Sequence, residues 1–179
     1  MIKKFINKLL GKSTPGTSGG KPHFGKREEV PASVHGINPE LVDRRAADVV
    51  ATLKQAGFEA YIVGGAVRDL LLGLRPKDFD VATNATPEQV KGLFRRAFII
   101  GKRFRIVHVV HGRGREHEVI EVSTFRAYLD NAAAGQVAGN EKTSKAQLSG
   151  MQHAVDASGR VLRDNVWGPQ DEDATRRDF

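Results

Sequence analysis

"YIVGGAVRDLLLGLRPKDFDVATNATPEQV", residues 61–90, changes its hydrophobic period twice, and those changes lay out a strand, a helix and a second strand. The run "EAYIV" (59–63) reads as a short strand broken by Gly64-Gly65, and "AVRDLLLG" (66–73) as a helix that stops at Gly73. A return strand runs from Asp78 to Val81. Thr86 then caps a further helix, with Pro87 at its first position and Gln89 completing a capping box, and this helix continues to about Arg96. Residues i and i+2 of a strand project to one side, so Asp78 and Asp80 stand roughly 6–7 Å apart with like charges facing. A divalent cation held by hard oxygen ligands offsets such repulsion, while a solvated pair in a turn is the plain alternative.

Working outward, Asn38-Pro39 reads as a helix start, with Leu41, Val42, Ala46, Val49, Val50 and Leu53 as its buried stripe and Gly57 as its end. Downstream lie three β-prone runs, "AFII" (97–100), "FRIVHVV" (104–110) and "HEVIEVSTF" (117–125). The last two are joined by "HGRGRE" in a hairpin pattern. The order α-β-α-β-α-β-β-β describes an α/β (α+β) fold, a small mixed sheet with helices on one face. From about 130 to 159 the sequence turns polar and small with no sustained period, which predicts a mobile loop. Order returns in "RVLRDNVWGPQDEDATRRDF" (160–179), and the sequence stops inside a helical pattern.

At 179 residues with an apolar share of 40%, the chain suits one domain with a core and tails. A basic, flexible N-terminal extension covers 1–30 and the folded domain 31–179. The extension holds seven Lys/Arg against two Glu, which is +5 of the net +7. A second basic block, 91–115, contains Lys91, Arg95, Arg96, Lys102, Arg103, Arg105, Arg113 and Arg115 and no acid. It suggests a polyanionic partner, with Lys102, Arg103 and Arg105 as candidate contacts, against the alternative of a solvated face. There is no cysteine, so neither a disulfide partner nor a thiolate metal site exists, and a reducing, cytoplasmic location is expected. No apolar run approaches the ~18 residues of a membrane span. "MIKKFINKLL" (1–10) is amphipathic, either a weak membrane or protein contact or a frayed basic tail.

Gly64-Gly65 stands between a strand and a helix, where backbone amides point outward and a phosphate can approach; tight packing is the alternative. The thirteen-residue step from Gly65 to Asp78 accommodates one helix and a return strand, so turn and acids would meet at one end of the sheet. A nucleoside triphosphate with its Mg²⁺ requires that placement. Glu121, flanked by apolar residues in "VIEVSTF", is a third carboxylate on the same sheet, or else an edge glutamate in water. His108 and His111 read as packing or solvent-facing residues, and no Ser-His-Asp or Cys-His arrangement stands out.

These segments, together with "EVSTFR" (121–126), "LRDN" (162–165) and "DEDATRRDF" (171–179), resemble the class II nucleotidyltransferases, which comprise bacterial poly(A) polymerases and CCA-adding tRNA nucleotidyltransferases. Within that family "IIGKRFRIVHV" (99–109) looks like the segment that marks the bacterial poly(A) polymerases. The resemblance implies a polymerase-β-like head that adds AMP from ATP to RNA 3′ ends, in polyadenylation and mRNA processing or decay. It implies that Asp78 and Asp80 hold two Mg²⁺ ions, that Gly64, Gly65 and Arg68 meet the triphosphate, and that Arg176 and Arg177 meet the nucleotide. Asp178 and Glu121 join the catalytic set, with the choice between them for the attacking hydroxyl left open. Family members continue past R-R-D-F into helical neck, body and tail domains, so the chain reads as a head fragment. CCA addition, a catalytically silent RNA-binding module and a minimal transferase acting on a protein or small molecule are the competing readings.

Overall fold

The computed structural model describes residues 27–102, 104–112, 117–127, 135–137, 153–156, 161–164 and 166–179. The amphipathic segment 1–10 and the linker after it lie outside the described residues. After a single helical turn, α1 (Ala32–His35), Asn38 accepts a hydrogen bond from the Glu40 N–H at 3.0 Å, as a cap should. Only a 3₁₀ turn, Pro39–Leu41, follows it. The expected single helix is split there because Val42 is extended and Asp43 supplies a second cap, accepting from the Arg45 N–H at 2.8 Å. Helix α2 (Arg44–Gln55) begins at that cap and buries Ala46, Val49 and Leu53.

Strand β1 (Ala60–Val63), helix α3 (Gly65–Leu71) and strand β2 (Asp80–Thr83) form the unit read from residues 61–90. β2 starts two residues later than expected. Its antiparallel partner β1 ends at Val63, which pairs with Asp80, so Asp78 has no ladder partner. The alternation still holds, since Phe79 is buried in the core while Asp78 and Asp80 are exposed. Helix α4 (Pro87–Leu93) carries the complete capping box. It ends before Arg96 because Phe94 is already extended and the chain turns into the next strand.

Strands β3 (Ala97–Ile100), β4 (Ile106–His111) and β5 (Glu118–Thr124) complete a five-stranded sheet of order β1-β2-β5-β4-β3. The central β2–β5 pair is parallel and the other pairs are antiparallel. Ala46, Val49 and Leu53 of α2, Ala66 and Leu70 of α3 and Val90 of α4 share one core with Val81, Val107, Val109, Ile120 and Val122. The helices therefore cover one face of a mixed α/β sheet, as the element order required. Because β-strand side chains alternate, the other face presents Asp80, Glu121, His108 and Phe98 in one cross-strand row.

A second sheet lies partly within the segment expected to be a loop. β6 (Gly135–Val137), β7 (His153–Asp156) and β8 (Val161–Asp164) pair in that order. Strands of three and four residues are too short to establish a period, which is why the composition of 130–159 concealed two of them. The chain returns through a bridge between Arg126 and Trp167 into α5 (Gln170–Ala174). Gly168 makes this return fit, since a β-carbon there would lie 2.5 Å from the Ala127 backbone. Among the described residues no helix is long and apolar enough to cross a membrane.

Candidate active site

Asp80 opens β2 and stands opposite Glu121 across the parallel β2–β5 pair, on the face the helices leave open. Burial raises the Asp80 carboxyl above its ordinary value. The nearby Glu121 and Asp78 charges raise it further, and Arg177 pulls it down. Glu121 is half-exposed and lies 3.3 Å from His108 Nε2. Glu121 therefore avoids the cost of an unpaired buried carboxylate, being open to solvent and beside His108. On the other side of Asp80, Gly64 has φ +71° and ψ −146°, a conformation reserved for glycine. A β-carbon at Gly64 would sit 3.4 Å from Asp80 Oδ2, so the Gly-Gly turn and the acid are in direct register.

The C-terminal segment closes over this point. The Arg177 guanidinium donates from Nε to Asp173 Oδ2 at 2.6 Å and from Nη2 to Ser123 Oγ at 3.0 Å. Asp173, only 4% exposed, also accepts from the Arg126 backbone N–H at 2.9 Å, fixing α5 to the end of β5. Arg176 donates to the Ala127 carbonyl at 3.1 Å, and the Gly64 N–H donates to the Phe179 carbonyl at 2.8 Å. That last bond occupies one amide of the turn assigned to phosphate. The resulting cleft is lined by Asp80, Glu121, Ser123, Arg126, Asp173, Arg176 and Arg177, together with Ile106.

Of the residues singled out in the sequence, Asp80, Glu121, Arg176 and Arg177 line one cleft, with Gly64 beside Asp80. Asp78 is exposed and reaches Asp80 through its charge. Asp178 is exposed and outside the cleft lining. Gly65 begins α3 beside Arg68, whose guanidinium pairs with Asp69 at 2.7 Å. Lys102 is exposed, Arg105 pairs with Glu88 of α4, and Arg103 lies outside the described residues. Sequence reading missed Asp173, Ser123, Arg126 and His108. Ser123 could have been found, since it shares Glu121's face two residues on, and Asp173 precedes Arg177 by four. His108 could not, because its partner depends on the β4–β5 register.

Mg²⁺ takes one or two protein carboxylates and fills its remaining positions with water and substrate phosphates. Among the described residues no three His, Asp or Glu side chains form a ready cage. Asp80, whose carboxyl is raised by burial and then by the neighbouring like charges, is a hard donor whose ionised form a cation would favour. The donor set thus fits an ion shared with a phosphate.

Comparison with known proteins places the chain among the nucleotidyltransferases. Residues 60–179 match the family described as the poly A polymerase head domain, and the chain belongs to that family. Poly(A) polymerase I of Salmonella typhi is 41% identical over 99% of this chain and 34% of its own length. Poly(A) polymerase I of Haemophilus influenzae is 46% identical over 84% of this chain and 29% of its own. A CCA-adding enzyme of Bacillus pumilus is 37% identical over 73% of this chain and 33% of its own. The chain spans about a third of the length of these relatives.

Proposed function

We propose that this chain is the catalytic head of an RNA 3′-end adenylyltransferase that takes AMP from ATP in the cytoplasm, as in polyadenylation and mRNA processing. The observation that carries the reading is the register of Asp80 with Glu121 on one side and with Gly64 on the other, inside a domain of this family. The RNA 3′-hydroxyl attacks the α-phosphorus of ATP, the bond to the pyrophosphate oxygen breaks, and the RNA leaves one AMP longer. Asp78 and Asp80 would hold Mg²⁺, two ions in all, which supply Lewis-acid stabilisation of the attacking and leaving oxygens. Glu121 faces the hydroxyl and takes up its proton; its place in the cleft, which Asp178 lacks, supports it for that role. Arg176 and Arg177 orient the nucleotide as fixed cations, Arg177 being held rigid by Asp173 and Ser123. Gly64, Gly65 and Arg68 stand beside the triphosphate.

Higher identity to poly(A) polymerases than to the CCA-adding relative favours adenylation. With labelled single-stranded RNA, Mg²⁺ and each nucleoside triphosphate in turn, extension is expected with ATP. Asp80→Asn should lower it by about 10²- to 10³-fold. Preferential C addition to tRNA lacking its end would reassign the chain to CCA addition. RNA binding with neither extension nor an ATP-dependent thermal shift would make it a silent RNA-binding module.

A further inference from the structure

The open sheet face carries a group of apolar side chains that the adenylylation chemistry does not use. Phe98 is 53% exposed, Ile100 43% and Phe104 37%, although all three belong to or adjoin the ordered edge of the main sheet. Register places Phe98 and Ile100 relative to the acids. Phe98 pairs with His108, His108 with Glu121, and Glu121 with Asp80, so one row of side chains crosses four strands on one face. The adjoining row runs from Ser123 to Ile106 to Ile100. Phe98 is therefore two interstrand spacings, about 10 Å, from Glu121.

We infer that Phe98, with Ile100 and Phe104 beside it, is a stacking platform for the 3′-terminal bases of single-stranded RNA. This deepens the adenylyltransferase reading and rests on it. Three observations favour that occupant. The cleft around Asp80 is open on one side and holds about 270 Å³, at the low end of ligand clefts, which suits the primer's bases to a neighbouring surface. The platform is continuous with the cleft, since Ile106, which lines the cleft, pairs with Ile100, and Arg126, which lines it too, lies over Phe104. Finally, the Arg126 guanidinium lies 4.9 Å over the Phe104 ring, and Lys102 stands exposed nearby in sequence. An exposed aromatic, Phe98, with cations along the same edge matches the stacked bases and phosphates of a single strand, which every base can satisfy. An apolar protein partner would not call for those cations.

The test is fluorescence anisotropy of a labelled single-stranded oligoadenylate on the whole chain without ATP, so that binding is read apart from catalysis. Phe98→Ala is expected to bind about 5- to 150-fold more weakly. Phe98→Trp should restore binding to near wild type, whereas Phe98→Leu, apolar but unable to stack, should stay weak. Because Phe98 is half-exposed, all three variants should melt close to wild type. The platform is overturned if wild type fails to bind the oligonucleotide, if Phe98→Ala binds within about 2-fold of wild type, or if Phe98→Leu binds as wild type does. It is also overturned if Phe98→Ala alters self-association in sedimentation and leaves RNA binding alone, since the face would then be a protein contact. Extension assays run alongside separate the two readings. Phe98-dependent binding without ATP-driven extension refutes the adenylyltransferase reading and keeps the platform. Normal extension with an RNA KM indifferent to Phe98→Ala refutes the platform alone.

Discussion

Removing the Asp173 carboxylate should disconnect the C-terminal arginines from the sheet. Asp173 accepts from Arg177 Nε at 2.6 Å and from the Arg126 N–H at 2.9 Å while itself almost fully buried. Asp173→Ala loses one charge-assisted hydrogen bond and leaves a backbone donor unpaired. The first is worth about 1.5–3 kcal/mol and the second about 1–3 kcal/mol. Breaking a fully buried ion pair costs about 3–5 kcal/mol, but the Arg177 side chain is a quarter exposed and regains some water, so a total near 2–3 kcal/mol follows. Asp173→Asn keeps an acceptor for the Arg126 N–H and should cost about 1–2 kcal/mol. Urea unfolding followed by tryptophan fluorescence measures both, because the chain's one tryptophan, Trp167, bridges directly to Arg126. A double-mutant cycle with Arg177→Met should return a coupling of about 1–2 kcal/mol. Catalysis should fall through kcat, since a freed Arg177 no longer stands fixed beside Asp80. If Asp173→Ala lies within about 0.5 kcal/mol of wild type, or the coupling is near zero, Asp173 is not what positions Arg177.

Three further outcomes follow from the same geometry. Asp80 binds its proton more tightly in the folded chain than its ordinary value of 3.8 allows, so its contribution to stability falls as pH rises from about 3.8 through the raised value. Asp80→Asn, unfolded in urea across that range without Mg²⁺, should lose this slope and be at least as stable as wild type at pH 7; a less stable variant would contradict the assignment. Gly64→Ala forces a side chain into a glycine-only conformation 3.4 Å from Asp80 Oδ2, at a cost of about 1–3 kcal/mol, with a lower melting temperature and a higher KM for ATP as the readouts. Thr86→Ala breaks the capping box of α4 and should cost about 1 kcal/mol in urea with extension by ATP unchanged; a loss of activity would show that α4 is coupled to the site.

What could be read from the sequence was whatever depends on local chemistry. Thr86, Pro87 and Gln89 specify a helix start without help from the rest of the chain, and that start is present. Gly64-Gly65 followed by an acid pair fixes a strand, a helix and a return strand, so the meeting of Gly64 with Asp80 was legible as well. Features set by competition between neighbours were not. Asn38 and Asp43 are both good caps five residues apart, and only the extended Val42 between them decides that the helix begins at the second. Asp78 looked like a strand residue until the length of β1 left it without a partner. The basic block of 91–115 carries no acid in its own sequence, yet Arg105 finds Glu88 one helix earlier, and Arg96 donates to the Gly112 carbonyl. Charge counted along the chain therefore overstates the cation available to a polyanion here.

The site illustrates why that distinction falls where it does. Asp78 and Asp80 were conspicuous because two acids in an apolar strand violate a local rule, and sites tend to be found where such rules are broken. The residues that hold Arg177 violate nothing. Asp173 is an acid in the first turn of a short helix, an ordinary place for one, and Ser123 is an ordinary strand residue. Their role exists only because Gly168 lets the returning chain lie against Ala127, which sets α5 beneath the end of β5. The same holds for Phe98, an unremarkable aromatic in "AFII" until pairing with His108 places it on the acids' face. Residues that perform chemistry announce themselves by composition, whereas residues that position them or carry the substrate are visible only once register has been fixed.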